Sequence, residues 1–341
     1  MSKKLRIGIL GAGGISQLVH IPILKKHKHA ELVAIADLEY EKAVGVAEKF
    51  KIPSYYRDPD DIFSRDDIDA VHINTPTNSH LALTLAALSA GKHVLVEKPM
   101  ARRAEEASRM CEAAKKANRK LMVAMNLRFR PDSMILHDFV EGRELGKVRI
   151  VRAGWLKRKS NWSRNPWLAN ARLSGGGVMM DLGLPLLDVC LWILGNPKVL
   201  RVSANMMKDR LGLPVEDTAC AFYTLSGGST ITLNTTWSFM SDENMAYTVF
   251  SGDKGMAQLD PLKITKEISG NLVNVTPAGK TLRSQNLYKR SYEYEIDHFM
   301  KLLMRETRAL SPGKDAVALL QIVEATYRAA SENREVEIKE S

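Results

Sequence analysis

The sequence predicts an α/β protein of two domains, the first built on a doubly wound parallel sheet and the second on an open, mostly antiparallel sheet. Three observations predict this. Short apolar runs alternate with helical patterns up to about residue 124, and longer alternating β-rich runs dominate from residue 148 onward. The length of 341 residues exceeds what one hydrophobic core usually serves. We therefore assign residues 1–124 to the first domain and residues 125–341 to the second.

The elements of the first domain follow one another as strand, helix, strand. The buried strands are short apolar runs, and the segments between them have helical periodicity. In chain order the predicted strands are LRIGIL, AELVAIAD, DAVHINTP, HVLVEKP and KLMVAMN. The helices between them are the segment up to Leu24, YEKAVGVAEKF, DDIFSRDD, SHLALTLAALSAG and RAEEASRMCEAAKKAN. Such alternation is typical of a parallel sheet with helices on both faces.

The elements of the second domain are longer strands that alternate apolar and polar residues. They are KVRIVRAGWLKRK, KVLRVSANMMK, TACAFYTLS, STITLNTTWSFM, AYTVFSG and GMAQLD, with SGGS as a turn between two of them. This alternation predicts antiparallel pairing with one face covered. Two helices close the chain, at about 289–306 and 315–332.

Composition narrows the class of protein. A hydrophobic fraction of 45% supplies core material, no apolar run reaches the length of a membrane span, and the first strand begins too early for a signal peptide. The net charge of +10 is scattered and no recognition motif accompanies it, so we expect no nucleic-acid partner. The three cysteines lack metal-ligand spacing. We expect a cytoplasmic protein with reduced thiols, no bound metal and no membrane partner.

The segment GAGGIS, residues 11–16, has the setting of a dinucleotide-binding turn because it follows the first strand and opens the first helix. Gly11 permits the tight turn and Gly13 lets the backbone approach a pyrophosphate, while Gly14 and Ile15 lie where the helix offers N–H groups. Ser16 stands in the place of a third small residue. The alternative is a glycine turn with no ligand.

Asp37 ends the second strand 21 residues after Ser16, where a carboxylate can accept hydrogen bonds from both ribose hydroxyls. A 2′-phosphate would meet its negative charge, and Leu38 follows it instead of an arginine. The sequence therefore predicts NAD as cofactor, with NADP less favoured. Asp37 could alternatively be only a helix cap.

Several motifs together resemble the Gfo/Idh/MocA oxidoreductases over essentially the whole chain. They are the glycine turn, TPTNSH at 75–80, EKP at 97–99, NLRFRP at 126–131, GGGVMMDLG at 175–183 and YEYEIDHF at 292–299. The resemblance implies that residues 1–124 are an NAD-binding Rossmann domain and that residues 125–341 are a substrate-binding and oligomerisation domain, whose open sheet pairs into a homodimer or homotetramer. It also implies hydride transfer between a nicotinamide and a C–OH or C=O group. It also implies cofactor contacts from Thr75, Pro76, Asn78, His80, Glu97, Lys98 and Asn126. From the residues alone, His80 is better explained as support for the helix entry.

The resemblance further implies that Lys98 lies beside the nicotinamide and binds or protonates the reacting oxygen. A lysine at the carboxyl end of a parallel strand does point toward the ligand crevice of such sheets. Family members carry an aspartate and, four residues later, a histidine that act with this lysine. Asp181 matches the aspartate, but Pro185 occupies the histidine position and cannot carry a proton.

Pro185 leaves two hypotheses for proton handling. Either Lys98 is the general acid and base, with a pKa lowered in a desolvated pocket, or the shuttle comes from elsewhere. Tyr288, Tyr292 and His298 are weaker candidates. Because proline lacks an N–H to bond the carbonyl of Asp181, we expect the helix to begin or kink at Pro185. Asp181 could also be only a helix cap or one half of an ion pair.

The segment 154–173 interleaves tryptophans with five basic side chains and leads into the Asp181 stretch. Indoles stack on sugar faces and arginines bind carboxylate or phosphate, so we assign Trp162, Trp167 and Arg172 to substrate binding. The family resemblance of the NLRFRP motif implies that Arg128 also binds substrate, at the rim of the pocket. A loop whose tryptophans pack on the sheet fits this segment equally well. The sequence predicts an NAD-dependent dehydrogenase for a sugar, polyol or related small molecule, acidic or phosphorylated ones included. The alternatives are a catalytically silent NAD-binding regulator and an enzyme that reduces a non-sugar carbonyl or imine.

Overall fold

The computed structural model describes residues 4–159, 167–208, 211–279 and 287–338. These residues divide into two compact units. Unit 1 comprises residues 1–126 and 289–317, and unit 2 comprises 127–288 and 318–341. The sequence pattern predicts that all residues after 124 belong to the second domain, whereas the structure places the segment 289–317 in the first unit. This assignment could not be foreseen, because the periodicity of a helix does not show which core it covers.

The elements of residues 4–126 alternate as the sequence predicts. The strands are β1 (Leu5–Leu10), β2 (Ala30–Ala36), β3 (Ser54–Tyr56), β4 (Ala70–Ile73), β5 (His93–Glu97) and β6 (Leu121–Ala124). The helices are α1 (Ile21–Lys26), α2 (Tyr40–Phe50), α3 (Asp60–Phe63), α4 (His80–Ser89) and α5 (Ala104–Lys116). A π-helical turn, Ser16–His20, precedes α1.

Within the described residues, the strands of unit 1 form a six-stranded sheet in the order β3-β2-β1-β4-β5-β6. Every pairing in it is parallel. The order reverses between β1 and β4, so the loops after these two strands diverge and leave a crevice at their carboxyl ends. Alternating strands and helices thus produce the predicted doubly wound sheet, and the glycine turn lies at its switch point.

The remaining elements are introduced here in chain order. The helices are α6 (Pro131–Glu141), α7 (Ala171–Ser174), α8 (Leu184–Ile193), α9 (Leu287–Leu303) and α10 (Gly313–Glu332), with a π-helical turn Met179–Gly183 before α8. The strands are β7 (Val148–Arg158), β8 (Val199–Met207), β9 (Thr218–Leu225), β10 (Thr230–Phe239), β11 (Met245–Gly252), β12 (Gly255–Leu259), β13 (Lys263–Ile268), β14 (Asn271–Asn274) and β15 (Val336–Glu337). No sequence pattern identified above predicts α6, α7, β3, β13, β14 or β15.

The strands of unit 2 form a nine-stranded sheet in the described part of the chain, in the order β14-β13-β12-β11-β7-β10-β9-β8-β15. Only β7 and β10 pair in parallel there, so the sheet is mostly antiparallel as predicted. The missed hairpin β13–β14 turns on Ser269 and Gly270, both with positive φ, a two-residue turn that favours glycine.

One helical stretch among the described residues, Ala171–Ile193, is long and apolar enough to cross a membrane by length and composition. The sequence analysis expected no such stretch. In the structure 94% of its apolar window is buried inside the protein, the pattern of a core helix.

Candidate functional site: a nucleotide turn and a buried aspartate turn

The glycine turn after β1 leaves open space where a dinucleotide would lie. Gly11 has φ +96, and a Cβ there would lie 2.7 Å from the carbonyl oxygen of Asn74, so only glycine fits. A Cβ on Gly13 or Gly14 would meet nothing within 4 Å. The Ser16 hydroxyl donates to the Gly11 carbonyl at 2.5 Å and accepts from Asn74 Nδ2 at 2.9 Å. The turn is therefore packed against Ser16 and Asn74, and it is open at Gly13 and Gly14, where a pyrophosphate needs space.

Asp37, directly after β2, lies against the glycine turn. Its Oδ2 accepts from the Ala12 N–H at 2.7 Å and its Oδ1 accepts from the Glu39 N–H at 2.9 Å. The Lys42 ammonium is 3.6 Å from the same carboxylate. These bonds fix the carboxylate beside the turn, where a ribose acceptor belongs in a dinucleotide site. Sequence reasoning did not identify Lys42 as a neighbouring cation.

The TPTNSH segment forms the loop between β4 and α4, and His80 holds that loop. Its Nε2 lies 2.9 Å from the Thr75 carbonyl oxygen and its Nδ1 lies 2.9 Å from the Pro99 carbonyl oxygen. Burial lowers the pKa of His80. With its two ring nitrogens beside backbone carbonyl oxygens, His80 supports the loop, and its assignment as a cofactor contact stays a prediction. Pro76 and Asn78 are exposed at the loop tip.

Lys98 follows the last residue of β5 and is half-buried. Its main-chain N–H donates to Glu97 Oε2 at 3.0 Å, and the peptide bond to Pro99 is cis. The other oxygen of the buried Glu97 carboxylate, Oε1, lies 3.0 Å from His20 Nε2, and the assignment of Glu97 as a cofactor contact stays a prediction. Asn126 is also buried, and its Nδ2 donates to Ser291 Oγ at 3.0 Å, so this amide donor is used within unit 1.

Asp181 lies in unit 2 at the middle of the π-helical turn Met179–Gly183 and is half-buried. Its Oδ2 accepts from the indole Nε1 of Trp237 at 3.1 Å. Trp237 is near the end of β10, and the sequence analysis did not connect it with Asp181. Pro185 is the second residue of α8, so the helical register changes where its N–H is missing, as predicted.

The glycines before Asp181 are required by the side-chain and backbone atoms packed against them. A Cβ on Gly176 would lie 2.0 Å from the Tyr327 hydroxyl, and one on Gly177 would lie 2.1 Å from the Glu216 carbonyl oxygen. The Glu216 Oε1 accepts from the Gly177 and Met179 N–H groups at 2.9 and 3.1 Å, and from the Tyr327 hydroxyl at 2.6 Å. Burial raises the pKa of Glu216. This buried carboxylate caps the turn that carries Asp181.

The residues assigned to substrate binding differ in burial and in their partners. Arg128 is 2% exposed and forms a bidentate ion pair with Asp188, with nitrogen-to-oxygen distances of 2.8 and 2.7 Å. A guanidinium held this way is structural, which corrects its assignment to the pocket rim. Trp167 is half-buried and Arg172 is exposed on α7. Trp162 lies outside the described residues.

Of the alternative proton carriers, Tyr288 is exposed and Tyr292 is buried in α9. His298 Nε2 lies 2.9 Å from the carbonyl oxygen of Arg308. Burial lowers the pKa of His298. A ring engaged with nearby backbone is a poor proton shuttle, so the geometry favours Lys98 over His298.

Comparison with known proteins agrees with the geometry. Residues 5–125 match the oxidoreductase family described as having an NAD-binding Rossmann fold, and residues 134–258 match the GFO/IDH/MocA C-terminal domain. The D-glucoside 3-dehydrogenase of Escherichia coli K12 is 28% identical, with 99% of this chain and 98% of that protein covered. The myo-inositol 2-dehydrogenase of Thermotoga maritima is 26% identical, with 98% and 99% covered.

Among solved structures, the aldose-aldose oxidoreductase of Caulobacter crescentus, complexed with glycerol, has a TM-score of 0.84 and 28% identity. The alignment covers 98% of this chain and 100% of that one. Two matched domains, full-length relatives and an open glycine turn beside Asp37 lead to one conclusion: the chain is a dehydrogenase of the NAD-binding Gfo/Idh/MocA oxidoreductase family.

Proposed function

We propose that this protein interconverts a secondary alcohol and a ketone on a sugar, a polyol or a related small molecule in the cytoplasm. The observation that carries the proposal is the half-buried Asp181 carboxylate, which the Trp237 indole orients on a turn built from glycines. A carboxylate held in this way can bind a substrate hydroxyl. The relatives named above for a glucoside and an inositol, and the structure named for aldoses, support a polyhydroxylated substrate.

The chain's own residues supply binding and proton handling. When bound, NAD would supply the hydride acceptor for oxidation and, as NADH, the hydride donor for reduction. Gly13 and Gly14 would admit the pyrophosphate and Asp37 the ribose, because open space and a fixed acceptor are what these groups require. Lys98 takes the proton from the reacting hydroxyl in oxidation and returns it in reduction. Pro185 leaves no proton carrier at its position, so this work falls to Lys98.

An acidic or phosphorylated group on the substrate is a further part of the proposal. The basic side chains near Trp167 and Arg172 would favour an acidic or phosphorylated substrate, since arginine binds such groups through paired hydrogen bonds. Arg172 lies one turn before the glycine stretch on α7. Sugar acids and sugar phosphates therefore belong in any substrate screen beside neutral sugars and inositols.

The test is a screen of NADH absorbance over sugars, inositols, sugar phosphates and sugar acids, with purified protein. We expect turnover on at least one class. Lys98→Met should lower kcat by about 100-fold or more, the usual scale for a positioned acid or base, and leave NADH affinity nearly unchanged. Asp181→Asn should also reduce turnover sharply. Lys116→Met, at the end of α5, is the matched control and should behave as wild type.

Two outcomes would count against the proposal. NADH binding by the wild type without turnover on any substrate class would favour the silent NAD-binding regulator. Pro185, which cannot carry a proton, is the residue that suggests this alternative. A Pro185→His variant that then gains activity would identify the missing proton carrier as the cause. Undiminished turnover by Asp181→Asn would remove Asp181 from the site and return it to a structural role.

A further inference from the structure

Four titratable side chains are buried together in unit 1, and the proposed reaction does not use them. His20 ends the π-helical turn, His72 lies in β4, Glu97 ends β5 and Glu295 lies in α9. His20, His72 and Glu295 have no exposed surface, and Glu97 is 8% exposed. Burying ionisable groups is costly unless they are paired or neutral, so their arrangement calls for an explanation.

Three of these side chains form a continuous line of hydrogen bonds that starts at Lys98. The Lys98 N–H donates to Glu97 Oε2 at 3.0 Å. The other carboxylate oxygen, Oε1, lies 3.0 Å from His20 Nε2. The second ring nitrogen of His20, Nδ1, lies 2.9 Å from His72 Nδ1. The line therefore runs from the main chain of the proposed acid and base into β4.

The direction of these bonds follows from the donors available. An ionised Glu97 can only accept, so His20 must carry its proton on Nε2. His20 Nδ1 is then an acceptor, and His72 must donate to it through Nδ1–H. His72 Nε2 remains bare, and among the described residues it has no hydrogen-bond partner, as suits a neutral ring. Burial also lowers the pKa of His72 well below its ordinary value.

Glu295 is a second buried carboxyl group close to Glu97. In the described part of the chain, neither carboxyl oxygen of Glu295 has a hydrogen-bond partner. Complete burial and the nearby Glu97 charge raise the pKa of Glu295 well above its ordinary value. Two neighbouring buried carboxyls cannot both ionise cheaply, so the unpartnered one holds the proton.

We propose that His20 is a positioning residue for Lys98. Its Nε2–H holds the Glu97 carboxylate, Glu97 holds the Lys98 main chain, and His72 keeps His20 in the required tautomer. This is the arrangement by which a third group orients a catalytic pair. The π-helical turn that ends at His20 begins at Ser16, whose hydroxyl also donates to the Gly11 carbonyl. One short segment therefore contacts both the glycine turn and the residues that hold Lys98.

The inference rests on the proposed function, but its first test does not need turnover. Nitrogen NMR of histidine-labelled holoprotein at neutral pH reports which ring nitrogen carries the proton. We expect His20 to be protonated at Nε2 alone and His72 at Nδ1 alone, with His20→Gln and His72→Leu used to assign the signals. The reverse tautomers, or a doubly protonated His20, would overturn the proposal whether or not a substrate has been found.

The second test separates positioning from stability. His20→Leu should lower kcat by about tenfold or more through loss of orientation, with little change in KM or NADH affinity. His20→Gln, whose amide N–H can still donate to Glu97, should keep most of the turnover. The control is Thr84→Val in α4, which removes an equally buried hydroxyl with no partner among the described residues.

Wild-type kcat in folded His20→Leu would overturn the positioning role. Equal loss of kcat in the Leu and Gln variants would also do so, because a purely structural residue gives no rescue by a surviving donor. Should the Leu variant fail to fold, the Gln variant and the tautomer measurement still decide. Absence of turnover in the wild type would refute the proposed function and leave the tautomer test standing.

Discussion

The Asp37 side chain is expected to set the preference for NADH over NADPH. It accepts from the Ala12 and Glu39 N–H groups, so its charge is fixed beside the nucleotide turn. We expect NADH to bind at least about tenfold more tightly than NADPH, a factor that an unfavourable contact of ~1.4 kcal/mol produces. Fluorescence titration of both cofactors measures the ratio. Asp37→Ala should narrow it by removing both the charge repulsion and the ribose acceptor.

Two further variants separate charge from hydrogen bonding at this position. Asp37→Asn keeps an acceptor for the Ala12 N–H and should weaken NADH binding less than Asp37→Ala. Lys42→Met removes the cation 3.6 Å from the carboxylate and should widen the preference for NADH. Equal affinity of the wild type for both cofactors would contradict the role given to Asp37.

Glu295 makes stability depend on pH in a direction set by its burial. Its pKa in the folded protein is raised well above the ordinary value by burial and by Glu97. A raised pKa means that the folded state holds the proton more tightly, so this contribution to stability is complete below the unfolded pKa of about 4.3 and is lost as pH rises toward the folded pKa. Glu295→Gln should therefore melt above wild type at about pH 8.

The advantage of Glu295→Gln should shrink on acidification and vanish below the unfolded pKa of about 4.3, because the side chain at this position is then neutral in both proteins, folded and unfolded. Thermal melts of the two proteins across this range give the difference directly. A constant difference at all pH values would contradict neutral Glu295 and would attribute the effect to packing alone.

At the scale of elements, the ion pair of Arg128 and Asp188 joins the segment before α6 to α8. Removing one partner leaves a buried charge uncompensated, so Arg128→Met should lower the free energy of unfolding by about 3–5 kcal/mol. The double variant Arg128→Met with Asp188→Leu should recover much of the loss. Urea titration measures both. A single variant as stable as wild type would restore Arg128 as a candidate for substrate binding.

Neighbouring atoms leave no room for a side chain at Gly177, in the glycine stretch before Asp181. Gly177→Ala would place a Cβ 2.1 Å from the Glu216 carbonyl oxygen, and such overpacking costs about 1–3 kcal/mol or more. Gly45→Ala is the matched control, because a Cβ there meets nothing within 4 Å inside α2. It should stabilise the protein by about 0.5–1 kcal/mol. Equal effects of the two substitutions on urea unfolding would contradict this account.

At the scale of the whole molecule, the nine-stranded sheet of unit 2 leaves apolar side chains exposed. Ile150 and Phe222 are 43% and 42% exposed, whereas their neighbours Val151 and Tyr223 are buried. One face of the sheet is thus covered and the other is open to a partner. The homodimer or homotetramer expected from the family resemblance would bury the open face, and this remains a prediction.

Light scattering after size exclusion tests that prediction. We expect wild-type protein to have at least twice the 38.0 kDa mass of the chain. Phe222→Lys should shift the equilibrium toward monomer, because a charge on the open face would be buried on association. Met134→Lys, on exposed surface of α6, is the control and should leave the mass unchanged. A monomeric wild type would refute the prediction.

The sequence by itself determined the features that depend on near neighbours. Alternating apolar runs and helical periods predicted the parallel sheet, and the spacing from the glycine turn to Asp37 predicted the NAD site. The missing N–H of Pro185 predicted the break at α8. Each of these follows from residues close in the chain, where backbone geometry alone limits the outcome.

Only the tertiary structure decided which side chains pair across the fold. Arg128 finds Asp188 at a separation of 60 residues, Asn126 finds Ser291 at 165, and Glu97 finds His20 at 77. No periodicity encodes such partners, because strand order and helix packing bring them together. The same carboxylate or guanidinium is therefore functional or structural according to what the folded chain places beside it.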